Sequence, residues 1–316
     1  MIRTMDSILP SLFPSLPQSP LNQGISNLIS QNKSFASLLQ HKRLPETGWD
    51  DLTIQSFLLF LAKLDTNNAR PSCMQHDNQG GVSTNRWCGV GEREGRVYCS
   101  LVANRHFGFS HGMGRSGDLA EVQPKAIGSS ILVQLTTCLA LDAMRRGAGL
   151  TMDSTRFGIL LPLCTGMSMA LVLSALISSN NSTRNVVLWS RIDQKSCLKA
   201  ITAAGLECVV IPTRVQEDEV VCDLDQFANL IKQYESKIVA VITTTSCFAP
   251  RIPDPIDDIA KICLHANIPH IINNAYGLQC KQIGKRIHRA CVVGRVDAIL
   301  CSMDKNFLVP VGKYFM

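Results

Sequence analysis

An α/β fold, in which helices cover both faces of a mostly parallel sheet, is predicted by three observations on the sequence. The chain has 316 residues, enough to bury a sizeable core. After residue 158, short apolar runs typical of buried strands alternate with helical segments, which is the pattern of parallel sheets. Polar clusters follow the apolar runs, as they do where an α/β sheet binds its ligand.

The strands and helices of this region follow from the apolar runs and from helical periodicity. Predicted strands occupy residues 159–163, 186–189, 208–212, 238–243, 270–273 and 298–302. Predicted helices occupy residues 193–204, 223–234 and 255–266. Together they form a predicted α/β domain over residues 151–312, and residues 313–316 are a short tail outside it.

The N-terminal part is predicted to be helical. Residues 1–30 are rich in Ser and Pro, and none of the residues after Asp6 in this segment is charged, so we expect a flexible leader. Residues 31–150 form the next predicted domain. In it, one helix opens at Trp49-Asp50-Asp51, and another, rich in small residues, runs over about 128–146.

The composition indicates a globular protein, because 46% of the residues are hydrophobic and only 18% are charged. A net charge of +6 permits an anionic partner but does not require one. The 13 cysteines are irregularly spaced, without a C-x-x-C pair or a zinc-finger cluster, and no secretory signal opens the chain. We therefore expect reduced, buried thiols, no metal site and a cytoplasmic protein.

The nearly uncharged run 158–178 (GILLPLCTGMSMALVLSALIS) is long enough to cross a membrane. Pro162 and the Thr165-Gly166 pair interrupt it, and strands alternate with helices on both sides. We therefore predict a buried strand over 159–163, a turn, and a buried helix from about Met167, with no membrane span.

Lys305 lies directly after the last predicted strand, and Ser302 precedes it by three positions. An amine at the end of a buried strand can be partly desolvated, which favours its neutral, nucleophilic form and suits it to attack an aldehyde such as that of pyridoxal phosphate (PLP). A solvated lysine is the ordinary alternative. Ser302-x-x-Lys305 also matches the S-x-x-K of β-lactamases, but the chain contains no Ser-Asp-Asn or Lys-Thr-Gly partner.

Five polar clusters are expected at one edge of the sheet, because the carboxyl ends of parallel strands meet there. Thr165-Gly166 opens a helix whose N–H groups and dipole favour a phosphate, and an ordinary Thr N-cap is the alternative. Asn273 ends a strand where it could hydrogen-bond a pyridine nitrogen, and a turn-forming Asn pair is the alternative. The clusters are Thr165-Gly166, Arg191-Ile192-Asp193-Gln194, Thr244-Thr245-Ser246, Asn273-Asn274-Ala275-Tyr276-Gly277 and the segment from Ser302 to Lys305.

A second anion site is predicted in a glycine-rich loop. Gly112-x-Gly114-x-x-Gly117 matches the dinucleotide fingerprint by letter, but the segment before it is a poor buried strand. We predict instead a compact anion cradle, in which Arg115 supplies a guanidinium and Ser116 and Gln123 supply neutral donors. A solvated Gly-rich loop is the alternative.

Six motifs are long and unusual. They are GVGEREGR (89–96), GRSGD with QPK (114–125), RIDQKSC (191–197), TTSCFAP (244–250), IPHIINNAYG (268–277) and DKNFLVP (304–310). Together they resemble the O-phosphoseryl-tRNA(Sec) selenium transferase family over about residues 40–312. The resemblance implies a fold-type I PLP-dependent transferase that binds tRNA(Sec) and is a homotetramer in the family.

The resemblance also implies the cofactor site. Lys305 would be the catalytic Schiff-base lysine, Asn273 would lie under the pyridine nitrogen, and Arg93 would reach the cofactor phosphate. The remaining expected cofactor-binding residues are Thr165, Gly166 and Gln194.

The substrate site is implied in the same way. Arg115, Ser116 and Gln123 would hold the phosphate of phosphoserine. Glu92 would repel a free α-carboxylate, which the tRNA ester masks in the true substrate. The implied reaction eliminates phosphate and adds selenium from selenophosphate to the β-carbon, which converts O-phosphoseryl-tRNA(Sec) into selenocysteinyl-tRNA(Sec).

The chain departs from the family pattern at residues 70–86, which look like an insertion, at Val292, where a basic residue is expected, and after residue 312, where a C-terminal small domain is expected. Gly312-Lys313-Tyr314 can be encoded by a 5′ splice-donor sequence, so we expect a truncated product. It would be the enzyme or its N-terminal piece, or alternatively an inactive isoform that at most binds PLP or full-length subunits. A different fold-type I enzyme, such as a desulfurase or decarboxylase, fits less well because it lacks the GRSGD and QPK loop.

Overall fold

The computed structural model describes residues 8–65, 97–179, 184–249 and 251–310. Its contacts divide the chain into two compact units, one that runs to Leu139 and one that begins at Ala140. The domain boundaries expected from the sequence, at 30/31, 150/151 and 312/313, stay predictions.

Helices build the first unit. They are α1 (Gln18–His41), α2 (Asp51–Ala62), α3 (Ser100–Arg105) and the first part of α4 (Ile127–Ala148). Phe35 of α1, Phe57 and Leu61 of α2, and Leu135 of α4 belong to one buried apolar cluster. The Asp50 carboxylate accepts a hydrogen bond from the Thr53 backbone N–H at 2.7 Å and caps α2, so the predicted start of this helix is confirmed.

Helix α1 begins inside the segment that was expected to be a flexible leader. Pro20, the last proline of that segment, lies in the first turn of α1, where a helix needs no backbone N–H donor. Leu21, Ile25 and Ile29 then recur every four residues and are partly buried, as on the apolar face of a helix. The expectation of a flexible leader is therefore wrong for residues 18–30.

A five-stranded parallel sheet forms the centre of the second unit. In spatial order its strands are β2 (Glu207–Ile211), β1 (Val186–Ser190), β5 (Ile238–Thr244), β6 (His270–Asn273) and β7 (Ala298–Leu300). All neighbours are parallel, and β1 and β5 are buried along their whole length. The predicted parallel α/β sheet is confirmed.

Helices cover both faces of this sheet. They are α5 (Thr165–Ser179), α6 (Lys195–Ala203), α7 (Leu224–Tyr234), α8 (Ile256–His265), α9 (Lys281–Val293) and the short α10 (Met303–Phe307). Alternate side chains of β1 point to opposite faces, because Val187 packs in one buried cluster with α5 and α6, and Leu188 packs in another with α7 and α8. Helix α9 was not predicted.

Residues 159–163 do not form a strand, so that prediction is wrong. Pro162 has no backbone N–H for a strand ladder, and Ile159 and Leu163 are each 41% exposed. A short apolar run has the same composition as a buried strand, and only its neighbours decide whether it pairs. Helix α5 nevertheless follows this run, and it buries Met169 and Leu173 completely.

A small antiparallel hairpin follows β2 in the chain and was not predicted. Its strands are β3 (Thr213–Gln216) and β4 (Glu219–Cys222). Glu217 in the turn has a positive φ of 54°, a conformation that Gly or Asn normally supplies, so the turn lacks the Asn-Gly or Asp-Gly pair that usually signals a hairpin.

One helix in the described part of the chain, α4, has the length and composition of a membrane span. Such a helix is weak support for a membrane protein, since core helices pass the same test. Leu135 of this helix is buried, and Ile131, Leu132 and Leu139 pack against the apolar cluster of the first unit.

Candidate cofactor and phosphate sites

The carboxyl ends of β1, β5, β6 and β7 lie at one edge of the sheet, and four of the five predicted polar clusters follow them. The strand register pairs Thr244 with Asn273 and Asn273 with Leu300, so the ends of β5, β6 and β7 lie side by side. The fifth cluster, Thr165-Gly166, follows no strand but does begin α5.

Lys305 lies in α10, immediately after β7. Its Nζ donates a hydrogen bond to Ser302 Oγ at 3.0 Å, pairs with Asp304 Oδ2 at 3.3 Å, and lies 5.2 Å from the centre of the Tyr276 ring. The side chain is 24% exposed, so the amine is partly buried yet reachable. Burial tends to raise the pKa of Asp304, but the Ser302 hydrogen bond and the Lys305 charge outweigh burial, so the pKa is lower than usual. This carboxylate therefore balances the ammonium charge.

Helix α10 is fixed to the segment that follows β6. Asn306 Nδ2 donates to the Ala275 carbonyl at 2.8 Å, and Asn306 Oδ1 accepts from the Leu278 backbone N–H at 3.2 Å. Gln279 Nε2 donates to the Lys305 carbonyl at 3.0 Å. These bonds hold Lys305 beside the strand end that carries Asn273.

Asn273 is buried at the end of β6 and joins it to α6. Its Oδ1 accepts from the Ala275 backbone N–H at 3.3 Å, and its Nδ2 lies 3.5 Å from Cys197 Sγ in the first turn of α6. Burial raises the pKa of Cys197 to about 11, so its sulfur is an uncharged thiol at neutral pH.

The N-termini of α5 and α6 are neighbours. A Cβ placed on Gly166 would lie 3.3 Å from the Ser196 carbonyl oxygen, so only glycine leaves this approach relaxed. Gln194 immediately precedes α6, and its side chain makes no capping hydrogen bond to that helix. Two adjacent helix starts present backbone N–H groups and positive dipole ends, the chemistry that holds a phosphate.

Two buried hydroxyl groups at the end of β5 lack a partner. Thr244 Oγ1 and Ser246 Oγ make no hydrogen bond to any described residue. Buried polar atoms without a partner are uncommon in proteins and often face a bound ligand. Both belong to the predicted Thr244-Thr245-Ser246 cluster.

Asp254 is a buried residue of this edge that sequence reasoning missed. Its carboxylate accepts from Ser190 Oγ at 3.0 Å at the end of β1 and from the Thr244 backbone N–H at 2.7 Å at the end of β5. It also pairs with Arg251, whose side chain is only 5% exposed. Burial raises the pKa of Asp254, and the Arg251 charge opposes that rise. No local sequence pattern predicts these contacts, because the ends of β1 and β5, which Asp254 joins, are far apart in the sequence.

Asn274 belongs to a predicted polar cluster but was given no role from the sequence, and it links the ends of β5 and β7. Its Oδ1 accepts from Thr245 Oγ1 at 2.5 Å, and its Nδ2 lies 3.7 Å from Cys301 Sγ. Burial raises the pKa of Cys301 to about 12. Gly277 packs directly against the Asn274 amide, since a Cβ at Gly277 would lie 2.0 Å from Asn274 Oδ1.

The predicted phosphate loop lies in the first unit as a tight turn. Arg115 and Asp118 exchange backbone hydrogen bonds of 2.8 and 2.9 Å. Gly114 has a φ of 71°, and a Cβ there would lie 2.6 Å from the Asp118 carbonyl oxygen, so the turn requires glycine. Ser116 also has a positive φ, of 51°. Gln123 Nε2 donates to the Gly114 carbonyl at 2.7 Å and closes the loop.

The donors of this loop are available to a ligand. Arg115 and Ser116 are exposed, and the Arg115 guanidinium has no partner within the described ranges. The structure brings Arg115, Ser116 and Gln123 together in the first unit. In the second unit it brings together Thr165, Gly166, Gln194, Asn273 and Lys305. Glu92 and Arg93 lie outside the described residues.

A parallel sheet covered by helices on both faces, with a lysine and an asparagine after neighbouring strands, has the architecture of fold-type I, PLP-dependent transferases, which is the fold class that the resemblance implies. The chain belongs to the O-phosphoseryl-tRNA(Sec) selenium transferase family, whose model matches residues 76–316. The resemblance found in the sequence is thereby confirmed.

Relatives of this name occur in eukaryotes and archaea. The Dictyostelium discoideum protein is 48% identical over 295 residues, which are 93% of this chain and 58% of the relative. The Caenorhabditis elegans protein is 42% identical over 283 residues, 90% of this chain and 55% of the relative. The Methanopyrus kandleri protein is 36% identical over 297 residues, 94% of this chain and 63% of the relative.

A solved structure supports the fold. The crystal structure of an archaeal O-phosphoseryl-tRNA(Sec) selenium transferase matches 93% of this chain and 63% of its own, with a TM-score of 0.78 and 32% identity. The predicted fold class is thereby confirmed. The chain spans 55 to 63% of the length of these relatives.

Proposed function

We propose that this chain carries the cofactor and phosphate sites of an enzyme that converts O-phosphoseryl-tRNA(Sec) into selenocysteinyl-tRNA(Sec), with PLP as cofactor and selenophosphate as selenium donor. The observation that carries the proposal is the convergence of Lys305, Asn273 and two helix starts at one edge of the sheet. Family membership supports the choice of substrate, since the relatives carry it in their name.

The residues at this edge fit PLP. The starts of α5 and α6 lie against each other at Gly166 and Ser196, and the unpartnered hydroxyls of Thr244 and Ser246 are buried donors at the end of β5. Asn273 is buried and carries a donor amide for a ring nitrogen. When bound, PLP would supply an aldehyde that a primary amine attacks and a ring that accepts electrons.

Each residue then has one task. The Lys305 amine would hold PLP through its aldehyde group and, once the substrate amine has displaced it, would accept the α-proton of the substrate. Asp304 and Ser302 orient this amine through their contacts of 3.3 and 3.0 Å. Asn273 donates to the ring nitrogen without protonating it. The backbone at Thr165 and Gly166, together with Gln194, binds the cofactor phosphate, and Arg93 contributes a charge to it.

The loop in the first unit would bind the phosphate of phosphoserine. The exposed Arg115 guanidinium offers a bidentate contact, and Ser116 adds a hydroxyl. Gln123 has one donor engaged with Gly114, so it shapes the loop and retains a second amide hydrogen for the ligand. Glu92 would exclude substrates with a free carboxylate.

The partners follow from the substrate. The enzyme would bind tRNA(Sec), and the net charge of +6 is compatible with an RNA partner. We further propose a cytoplasmic homotetramer that is not bound to a membrane.

The cofactor site is tested by labelling. PLP is added to the purified chain, the adduct is reduced with borohydride, and labelled peptides are located by mass spectrometry. We expect the label at Lys305, its loss in Lys305→Ala, and no change in Lys232→Ala, which replaces an exposed lysine of α7. A label spread over surface lysines and absent from Lys305 would contradict the proposed site.

A second candidate is a chain that binds PLP but does not turn over substrate. The chain spans 55 to 63% of the length of its relatives, so turnover by this chain is measured separately from cofactor binding. Phosphoseryl-tRNA(Sec) and selenophosphate are supplied to the PLP-loaded chain, and selenocysteinyl-tRNA is measured. Label at Lys305 with product formation supports the enzyme, and label without product supports the second candidate.

A further inference from the structure

Asp65 is a buried carboxylate that belongs to neither site described above. It follows α2 by three residues and is only 1% exposed. Its Oδ1 accepts from the Ser129 backbone N–H at 2.9 Å, and its Oδ2 accepts from Ser129 Oγ at 2.6 Å. Its Oδ2 also lies 3.4 Å from both the backbone nitrogen and the hydroxyl of Ser110. All four contacts therefore go to two serines.

These serines stand at the two ends of the predicted phosphate loop. Ser110 immediately precedes the segment that contains Gly114 and Arg115, and Ser129 follows Gln123 in the first turn of α4. One carboxylate thus contacts both the segment that precedes the loop and the helix that follows it.

The end of α2 and the start of α4 pack closely around Asp65. A Cβ on Gly128 would lie 1.9 Å from the Leu61 carbonyl oxygen, so the end of α2 and the start of α4 touch through their backbones. Asp65 also forms an isolated β-bridge with Ala126, which is completely buried. The carboxylate therefore adds its bonds to a joint that backbone packing already brings together.

The loop itself has few bonds of its own. The Arg115–Asp118 backbone pair and the Gln123–Gly114 bond shape its tip, while Arg115 and Ser116 point donors outward from exposed positions. The contacts at its two ends therefore add to the Gln123–Gly114 bond in setting the relative position of Arg115 and Gln123.

We propose that Asp65 is a positioning residue, which orders the phosphate loop by holding both of its ends. The identity of the bound anion rests on the proposed function, whereas the effect of Asp65 on the order of the loop does not. A carboxylate that merely capped α4 would stabilise that helix without any specific effect on residues 111–124.

Hydrogen–deuterium exchange separates these roles. Asp65→Asn keeps the shape of the side chain and removes its charge. We expect exchange over residues 111–124 to become about tenfold faster, as when one charge-assisted hydrogen bond is lost, with no change in β1 and β5. Asp50→Asn is the matched control, because Asp50 is also a capping carboxylate of the first unit but its hydrogen bonds go to residues of the first turn of α2. It should affect α2 alone.

Inorganic phosphate provides the second measurement. In the wild type it should slow exchange at residues 111–124, and Asp65→Asn should raise the concentration needed for half of this effect about tenfold. Asp50→Asn should leave that concentration unchanged. If Asp65→Asn does not fold, Ser110→Ala removes one hydroxyl contact and should give a smaller change of the same kind.

Four results would overturn parts of this inference. Unchanged exchange at 111–124 in the Asp65 and Ser110 variants would refute the positioning role, and so would equal acceleration throughout the first unit. Faster exchange with an unchanged phosphate dependence would show that the loop is ordered by Asp65 but binds independently of it, which refutes positioning of the ligand. A wild-type loop that ignores phosphate would refute the proposed function of the loop, while the variants would still decide the role of Asp65.

Discussion

Removing Arg251 leaves a buried charge without its partner at the edge of the sheet. Arg251 and Asp254 form an ion pair whose side chains are 5% and 0% exposed, and Asp254 also accepts hydrogen bonds from the ends of β1 and β5. Arg251→Met replaces the guanidinium with an apolar group and leaves every contact of Asp254 with Ser190 and Thr244 available. The variant therefore removes the guanidinium charge and the hydrogen bonds of Arg251, and it keeps the other contacts of the carboxylate.

The expected loss depends on whether Asp254 is ionised. With the carboxylate charged, breaking a buried pair by removal of one partner costs about 3–5 kcal/mol of the free energy of unfolding. With the carboxyl group protonated, the hydrogen bonds of Arg251 to the Arg191 carbonyl and to Ser190 Oγ are lost, which costs about 1 kcal/mol for each bond.

The pH dependence has a definite sign. Burial already raises the pKa of Asp254 above its ordinary value, and removal of the Arg251 charge removes the main opposing influence. A carboxyl group whose pKa is higher in the folded state contributes stability that is present at low pH and is lost as the pH rises through the folded pKa. Arg251→Met should therefore lie closer to the wild type at pH 5 than at pH 8.

Urea denaturation at the two pH values measures this difference. Trp189 of β1 reports on the second unit when the other tryptophans are replaced by phenylalanine. The difference from the wild type at each pH removes shared contributions, such as that of His270, whose pKa burial lowers to about 4. Lys261→Met is the control, because Lys261 and Asp258 form a pair with the same i,i+3 spacing at exposed positions. Such a pair contributes less than about 1 kcal/mol. A loss in Arg251→Met no larger than that of Lys261→Met, or a loss that is larger at pH 5, would refute the reasoning.

Two further predictions concern the cofactor edge. Burial raises the pKa of Cys301 to about 12, so at pH 8 this thiol should react with iodoacetamide about 100-fold more slowly than the exposed Cys280, and similar rates in timed mass spectrometry would contradict its burial. Gly277→Ala should displace the Asn274 amide, which a Cβ would approach to 2.0 Å, and lower PLP labelling of Lys305 about tenfold. Gly147→Ala, where a Cβ meets nothing within 4 Å, is its control and should label normally.

The parallel sheet could be predicted from the sequence because its strands are buried on both faces. Such strands are continuous apolar runs, and β1 and β5 are buried at every position. The residue after a strand can then be located, which is how Lys305 and Asn273 were placed at one edge. The same reasoning failed for residues 159–163, because an apolar run does not reveal whether a neighbouring strand is available to it.

The long-range hydrogen bonds that order the two sites could not be predicted from the sequence. Asp65 contacts Ser129, and Asp254 contacts Ser190, each across 64 positions of the sequence. Periodicity reports on neighbours within a helix or strand, so it carries no information about such contacts. A lone Asp in a polar segment is most often solvated, and nothing in the residues around Asp65 or Asp254 distinguishes them from that case.

Asp65 and Asp254 have the same structural role in their two units, because each one joins two chain segments near a predicted anion site. A group that binds an anion must keep its donors free, as the Arg115 guanidinium and the Thr244 hydroxyl do within the described residues, and a free donor contributes nothing to its own fixation. The order must then come from bonds beneath the donors. A buried carboxylate suits this task because its two oxygens accept several hydrogen bonds and can join two chain segments at once. Substitutions at Asp65 and Asp254 should therefore weaken anion binding although neither side chain meets the ligand, and each effect should be confined to its own unit.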